Sequence, residues 1–169
     1  MSTCFPRQNW FVLYTRPKFE KRIAEQISKL NYESFLPIRT CFRKWSDRVK
    51  RIEEPLFPNY VFVRITSNDS FKLLSVSGVV KLITCEGKPV SVSESEIEII
   101  KKIAVTNPAV TSENLETVGE KVRVISGAFV GMEGELIRKV GKSRLLIRLP
   151  AIDHALSVEI DMQALEKIA

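Results

Sequence analysis

A change of hydrophobic grammar near residue 109 constrains this chain more than any other feature. Before it, short apolar runs alternate with segments whose apolar residues recur every three or four positions; after it, only short strand-like runs recur. With 169 residues there is room for one domain of ordinary size and one small module. The sequence therefore predicts an α+β fold in two parts: an N-terminal α/β domain over residues 1–108, a linker over 109–116, and a small all-β domain over 117–169.

In the first part, Trp10 to Thr15 (WFVLYT) is a short apolar run stopped by Pro17, and reads as a buried strand. Pro17 suits the first turn of a helix, where its missing N–H has no intrahelical partner. Phe19, Ile23, Ile27 and Leu30 then line one helical face, with Lys18, Lys21, Arg22, Glu25 and Lys29 elsewhere. Arg39 to Glu54 is polar and basic, and Trp45-Ser46-Asp47 marks a hairpin tip. Tyr60 to Ile65 (YVFVRI) is the strongest strand signal in the chain, placing Tyr60 and Phe62 on one face and Val61 and Val63 on the other. Asn68 or Asp69 caps a short helix through Leu74, which Gly78 ends. Ser93 and Glu96 make a capping box, each side chain reaching the other's backbone N–H, and the helix they open stops before Pro108.

The polar stretch Ala109 to Glu116 has no strong periodicity and reads as the linker. Beyond it, strands around Val122–Val124, Leu136–Ile137, Leu145–Leu149 and Leu156–Ile160 are separated by turns at Ser126-Gly127, Gly141-Lys142 and Pro150. Four or five short strands in such a length favour a small closed barrel.

Charge divides the chain at the same place. Residues 1–108 hold 18 Lys+Arg against 11 Asp+Glu, a balance of +7, and residues 109–169 hold 8 against 9, a balance of −1. A polyanion would meet the first part, although a basic solvated surface gives the same numbers. No apolar run approaches the roughly 20 residues of a membrane span, so no membrane partner is expected. Met1 to Asn9 lacks the apolar core of a secretory leader. The distant Cys4, Cys41 and Cys85 read as reduced thiols, and together these features imply a cytoplasmic protein.

Catalytic chemistry is missing. The single histidine, His154, has no metal-ligand companions and reads as a solvated loop residue. The chain has no phosphate-cradling GxxxxGK[ST] loop and no GxSxG elbow. Glu53 and Glu54 are adjacent on a strand and point to opposite faces, so they cannot share a proton-transfer role. The chain is expected to be no enzyme and to need no cofactor.

Three segments carry a resemblance to the NusG family of transcription elongation factors: WFVLYTRPKFEKRIAEQI from Trp10, EEPLFPNYVFVRI from Glu53, and VGEKVRVISGAFVGMEGEL from Val118. The run EPLFPNY is similar to the specialised paralogue RfaH, and the third segment resembles a KOW motif with Gly131 at its glycine position. KWSDR at Lys44 and the ending LIRLPAIDHALSVEI look closest to the UpxY branch, which regulates capsular polysaccharide operons.

This resemblance implies an N-terminal α/β sandwich with an antiparallel sheet and a C-terminal SH3-like KOW barrel. It implies docking of an apolar patch on the clamp helices of the largest RNA polymerase subunit. Trp10, Tyr14, Phe57, Tyr60 and Phe62 match positions in or near that patch, although strand aromatics are more often core. Asp69 and Ser70 stand where a second contact reaches the opposite lobe, replacing the His-Thr-Thr motif of RfaH. Arg16 matches a basic position facing non-template DNA, and Arg43, Lys44 and Trp45 offer charge and a stacking face nearby, or simply a solvated hairpin. Phe129, Ile152 and His154 stand where the KOW domain would meet a ribosomal protein, the Rho terminator or RNA. Ile152-Asp153-His154 replaces the Phe-Gly-Arg run of general NusG. Glycines and Pro150 in this part disfavour long helices by roughly 1 and 3 kcal/mol each, so a stable barrel is expected. The function implied is a processivity factor or antiterminator. Its rivals are a general NusG housekeeping factor and a ribosome-associated KOW protein that binds RNA.

Overall fold

The computed structural model describes residues 8–106, 110–113, 119–139, 142–149, 152 and 154–168. The chain divides into two compact units, Met1–Ile97 and Glu98–Ala169.

The first unit is built on an antiparallel sheet in the order β2-β5-β1-β6, with β9 also pairing β1. Its strands are β1 (Asn9–Thr15), β2 (Glu33–Phe35), β5 (Tyr60–Ile65), β6 (Val79–Leu82) and β9 (Ser91–Val92). Two two-stranded ribbons complete it: β3 (Ile38–Lys44) with β4 (Val49–Pro55), and β7 (Thr84–Cys85) with β8 (Lys88–Pro89). Phe11 and Leu13 of β1 stand opposite Val63 and Val61 of β5. These four pack with Ile65, Leu82, Ile23 and Ile27 of α1 (Glu20–Lys29) and Leu73 of α2 (Ser70–Leu74) into one buried cluster. Alternation along β1 and β5 thus puts Phe11, Leu13, Val61, Val63 and Ile65 towards the helices, and Trp10 and Phe62 on the other face.

The first helix starts later than Pro17 suggests. Lys18 takes a left-handed φ of 67°, which no helix can continue through, and Phe19 becomes the N-cap. It also ends at Lys29, so Leu30 is exposed and falls outside the buried stripe. Gly78 has the φ of 99° that glycine adopts without strain. A Cβ there would lie 2.5 Å from the ring of Phe19, so the close turn after α2 admits little else. The capping box forms as expected: Glu96 N donates to Ser93 Oγ at 3.2 Å and Ser93 N to Glu96 Oε2 at 2.8 Å. It opens α3 (Glu94–Thr106), and the division between units falls inside this helix.

The second unit carries one antiparallel sheet in the order β10-β14-β13-β12-β11-β15. Its strands are β10 (Val110–Glu113), β11 (Glu120–Val124), β12 (Glu133–Lys139), β13 (Lys142–Leu149), β14 (His154–Glu159) and β15 (Leu165–Lys167). Strand β10 lies within the segment that reads as linker and pairs β14 from Val110↔Val158 to Glu113↔Ala155. Backbone pairing needs no hydrophobic alternation, so a polar edge strand leaves little trace in the sequence. Gly131 has a φ of 84° and donates its N–H to Val124 O at 2.8 Å, closing the loop between β11 and β12. Pro150, read as a turn, lies outside the described residues, as do Cys4, Gly141, Asp153 and Pro108.

Candidate functional site

The expected aromatic patch separates into a buried part and a half-exposed part. Trp10, Phe57 and Phe62 are core: each is 1–2% exposed. The indole Nε1 of Trp10 donates to Glu94 Oε2 at 3.0 Å, and the Phe57 and Phe62 rings meet edge to face at 6.0 Å, with Phe35 a further 6.0 Å from Phe62. These three are therefore not exposed anchors. The turn that EPLFPNY makes explains the burial of Phe57. Leu56 N donates to Pro37 O at 2.8 Å, Tyr60 N to Phe57 O at 3.3 Å, and Asn59 takes a left-handed φ of 70°. Asn59 N donates to the buried Glu20 carboxylate at 2.9 Å, and its carbonyl accepts from Thr15 N at 2.8 Å. This motif fastens β5 to β1 and to the first turn of α1.

Tyr14 and Tyr60 remain half-buried at the end of the same strand pair, directly opposite each other. Their rings meet at 67° with centroids 5.5 Å apart, and Lys81 Nζ lies 6.0 Å from the Tyr14 centroid. Arg16 follows on the chain, exposed, with its backbone N–H bonded to Gly78 O at 2.9 Å. An aromatic step with a cation above it suits a partner surface that is part apolar and part polar.

Asp69 turns inward. Its carboxylate accepts from Thr66 Oγ1 at 2.7 Å, Tyr32 OH at 2.9 Å and Lys72 Nζ at 3.0 Å. The hydrogen bonds from Thr66, Lys72 and Tyr32 hold its pKa down at about 2. This carboxylate anchors the start of α2 rather than offering itself to a partner. Ser70 is half-buried as the first residue of α2. Sequence reasoning missed Phe71, which is 81% exposed and lines a hollow with Leu74, Val80 (52% exposed), Leu82 and Pro89. The signal was present: residues two apart on a helix face different ways, so with Leu73 buried against the sheet, Phe71 cannot be.

The basic ribbon β3–β4 stands as expected, with Trp45 N donating to Arg48 O at 2.8 Å across its tip. Its register pairs Lys44 with Val49, Arg43 with Lys50 and Phe42 with Arg51. Lys44, Arg48, Lys50 and Arg51 are exposed, as are Trp45 (54%) and Phe42 (71%). Arg43 is partly committed, since its Nη2 lies 3.2 Å from Glu54 Oε2. Glu54 also accepts from Arg39 Nη2 at 2.6 Å and from the thiol of Cys41 at 3.2 Å. Those contacts, from Cys41 first and then Arg39, hold the Glu54 carboxyl below its usual range. Burial and the Glu54 hydrogen bond push the Cys41 thiol up, so it stays protonated and a poor nucleophile. Glu53 points elsewhere, to Lys21 at 3.7 Å. The two glutamates thus have separate partners.

In the second unit Phe129 and Ile152 are buried, and so cannot serve as exposed partner contacts in this conformation. His154 is no solvated loop residue: it opens β14, half-buried, with Nδ1 2.6 Å from the Ile152 carbonyl, which can only accept. Glu135 accepts from Arg148 Nε at 2.8 Å and from Gly119 N at 2.9 Å, joining β12 to β13 and to the residue before β11. Among the described residues no group of three His, Cys, Asp or Glu is placed to hold a metal, and no helix is long and apolar enough to cross a membrane.

The chain thus sets a helix-backed antiparallel sheet with a basic ribbon before a six-stranded antiparallel sheet. A family model described as transcription termination factor nusG matches residues 8–101, more than half the chain, and the chain belongs to the NusG family. The chain is 28% identical to the transcription termination/antitermination protein NusG of Lactococcus lactis over 95% of its length and 94% of the relative's. It is equally 28% identical to the protein of that name in Escherichia coli K12, covering 96% and 97%. The solved structure of Thermotoga maritima NusG superposes with a TM-score of 0.59 at 22% identity over 96% of this chain and 98% of that one. It shares the fold. Members of this family are transcription factors, not enzymes.

Proposed function

We propose that this chain is a specialised elongation factor that binds RNA polymerase, suppresses pausing and termination, and acts at a capsular polysaccharide operon. Residues 1–108 make the polymerase-binding domain and 117–169 the KOW domain, joined through 109–116, of which Val110–Glu113 adds an edge strand to the second sheet, and the protein works in the cytoplasm. The observation that carries the polymerase-binding part of this reading is the Tyr14–Tyr60 step with Lys81 beside it, a half-exposed aromatic surface in the unit that the family model matches, while the operon rests on the sequence resemblance alone. Tyr14 and Tyr60 contact the clamp helices of the largest subunit, and Ser70 with the exposed Phe71 meets the opposite lobe. Arg16, Lys44 and Trp45 face non-template DNA in the bubble, with Arg43 contributing what charge Glu54 leaves. The half-buried His154 edge of the second unit is the candidate contact for a ribosomal protein or Rho.

Bound across the cleft, the factor speeds elongation only by binding the elongating state better than the paused one. In vitro transcription over a strong pause tests this. The full chain should shorten the pause and raise read-through, and unchanged pause lifetimes with protein bound would refute it. The similarity to the NusG of L. lactis and E. coli is equally compatible with a general housekeeping factor, which would act on every template.

A further inference from the structure

At the side of the basic ribbon lies a hollow of about 430 Å³ lined by Lys21 of α1, Trp45 at the tip, and Lys50, Arg51, Ile52 and Glu53 of β4. Its volume is within the range of small-ligand sites, enough for one nucleotide and far too small for a duplex. Three cations and one half-exposed indole face it, so its charge complements a phosphate chain and its ring offers a stacking surface. The exception to that charge is Glu53. Its neighbour Glu54 is held by Arg39, Arg43 and Cys41, whereas Glu53 meets Lys21 at 3.7 Å, longer than a hydrogen bond, with both side chains 55% exposed. A carboxylate set among phosphate-binding cations opposes backbone binding, and this makes sense if it reads the base instead.

We propose that this hollow holds one unstacked base of single-stranded DNA on Trp45, and that Glu53 selects that base, preferring guanine and disfavouring thymine. The proposal rests on the reading that the first unit meets single-stranded DNA. Lys21, Lys50 and Arg51 neutralise the flanking phosphates and carry no sequence information. The ionised Glu53 carboxylate can only accept. Guanine offers it two parallel donors, N1–H and the exocyclic N2–H, for a bidentate pair. Cytosine and adenine offer one amino group each. Thymine offers N3–H flanked by two carbonyl oxygens, which repel the second carboxylate oxygen.

Fluorescence anisotropy of the full chain with labelled oligonucleotides at low salt tests this. The probes are a twelve-residue oligothymidylate, the same strand with one central guanine, and its RNA counterpart. One guanine should tighten binding about tenfold, in the range that a bidentate base contact supplies. Glu53→Gln should abolish that preference without weakening binding to oligothymidylate, and Trp45→Ala should weaken binding to both DNA strands. Both positions are exposed, and unchanged thermal melts would establish that the variants fold. A guanine preference that survives in Glu53→Gln, or no preference in the unaltered chain, overturns base selection and leaves DNA binding intact. Tighter binding of the RNA probe overturns the choice of DNA. No binding of any probe would refute the DNA contact itself.

Discussion

The indole N–H of Trp10 donates to the carboxylate of Glu94 across 3.0 Å, tying the start of β1 to the first turn of α3. An aromatic residue at a position matched to a polymerase-facing patch is thereby committed to the interior. Trp10→Ala should cost about 3–5 kcal/mol. Glu94→Ala should cost about 1 kcal/mol, because solvent can reach the orphaned N–H beside a half-exposed carboxylate. Denaturant unfolding of both variants measures the difference, and equal losses would show that the hydrogen bond dominates the packing.

Tyr14 and Tyr60 should behave in the opposite way to Phe57. The double variant Tyr14→Ala/Tyr60→Ala should lose less stability than Phe57→Ala and at least tenfold in affinity for RNA polymerase, as removal of half-exposed aromatic anchors does. Phe57→Ala should lose about 3–5 kcal/mol of stability. Binding to immobilised core polymerase, read beside thermal melts, separates the two classes.

Acid sensitivity should centre on Asp69. Its pKa falls from the ordinary 3.8 to about 2 on folding, so the stability it contributes is fully present above about pH 4 and is lost as pH falls towards 2. Asp69→Asn should flatten the pH dependence of stability in that window and loosen the start of α2 at neutral pH. Chemical shifts of Asp69 through an acid titration give the pKa directly. An ordinary value near 3.8 would mean that the Thr66, Tyr32 and Lys72 hydrogen bonds do not persist in solution.

Much of this was legible because local rules and the fold agree. YVFVRI from Tyr60 is a strand with its aliphatic face on the helices, the Ser93–Glu96 box closes, and Trp45 sits at the tip of a ribbon. What was not legible depends on the far side of a contact. Period-two alternation puts Phe62 on the face with Tyr60, but whether a side chain on that face is covered depends on what packs there. Phe57 lies in a turn with no periodicity at all, and only the turn's hydrogen bonds reveal that it folds onto Phe62. Asp69 looks like an exposed cap, since Tyr32, its partner from 37 residues away, cannot be inferred from spacing. Strand β10 escaped because its residues are polar and its evidence is its pairing with β14.

The basic ribbon should bind single strands through phosphates before it reads any base. Lys44→Ala/Arg48→Ala should weaken binding to all sequences alike and flatten the salt dependence by roughly 0.7 in log slope per lost contact. A salt titration of oligonucleotide affinity checks this, and an unchanged slope would mean that these side chains are only solvated.

Occupancy of the chromosome by this protein, mapped beside that of RNA polymerase, tests the central claim most directly. The account predicts signal that travels with polymerase through one or a few operons, beginning downstream of their promoters and absent from the Tyr14→Ala/Tyr60→Ala variant. Signal at every transcribed gene would contradict the specialist role, and signal unrelated to polymerase would contradict the account as a whole.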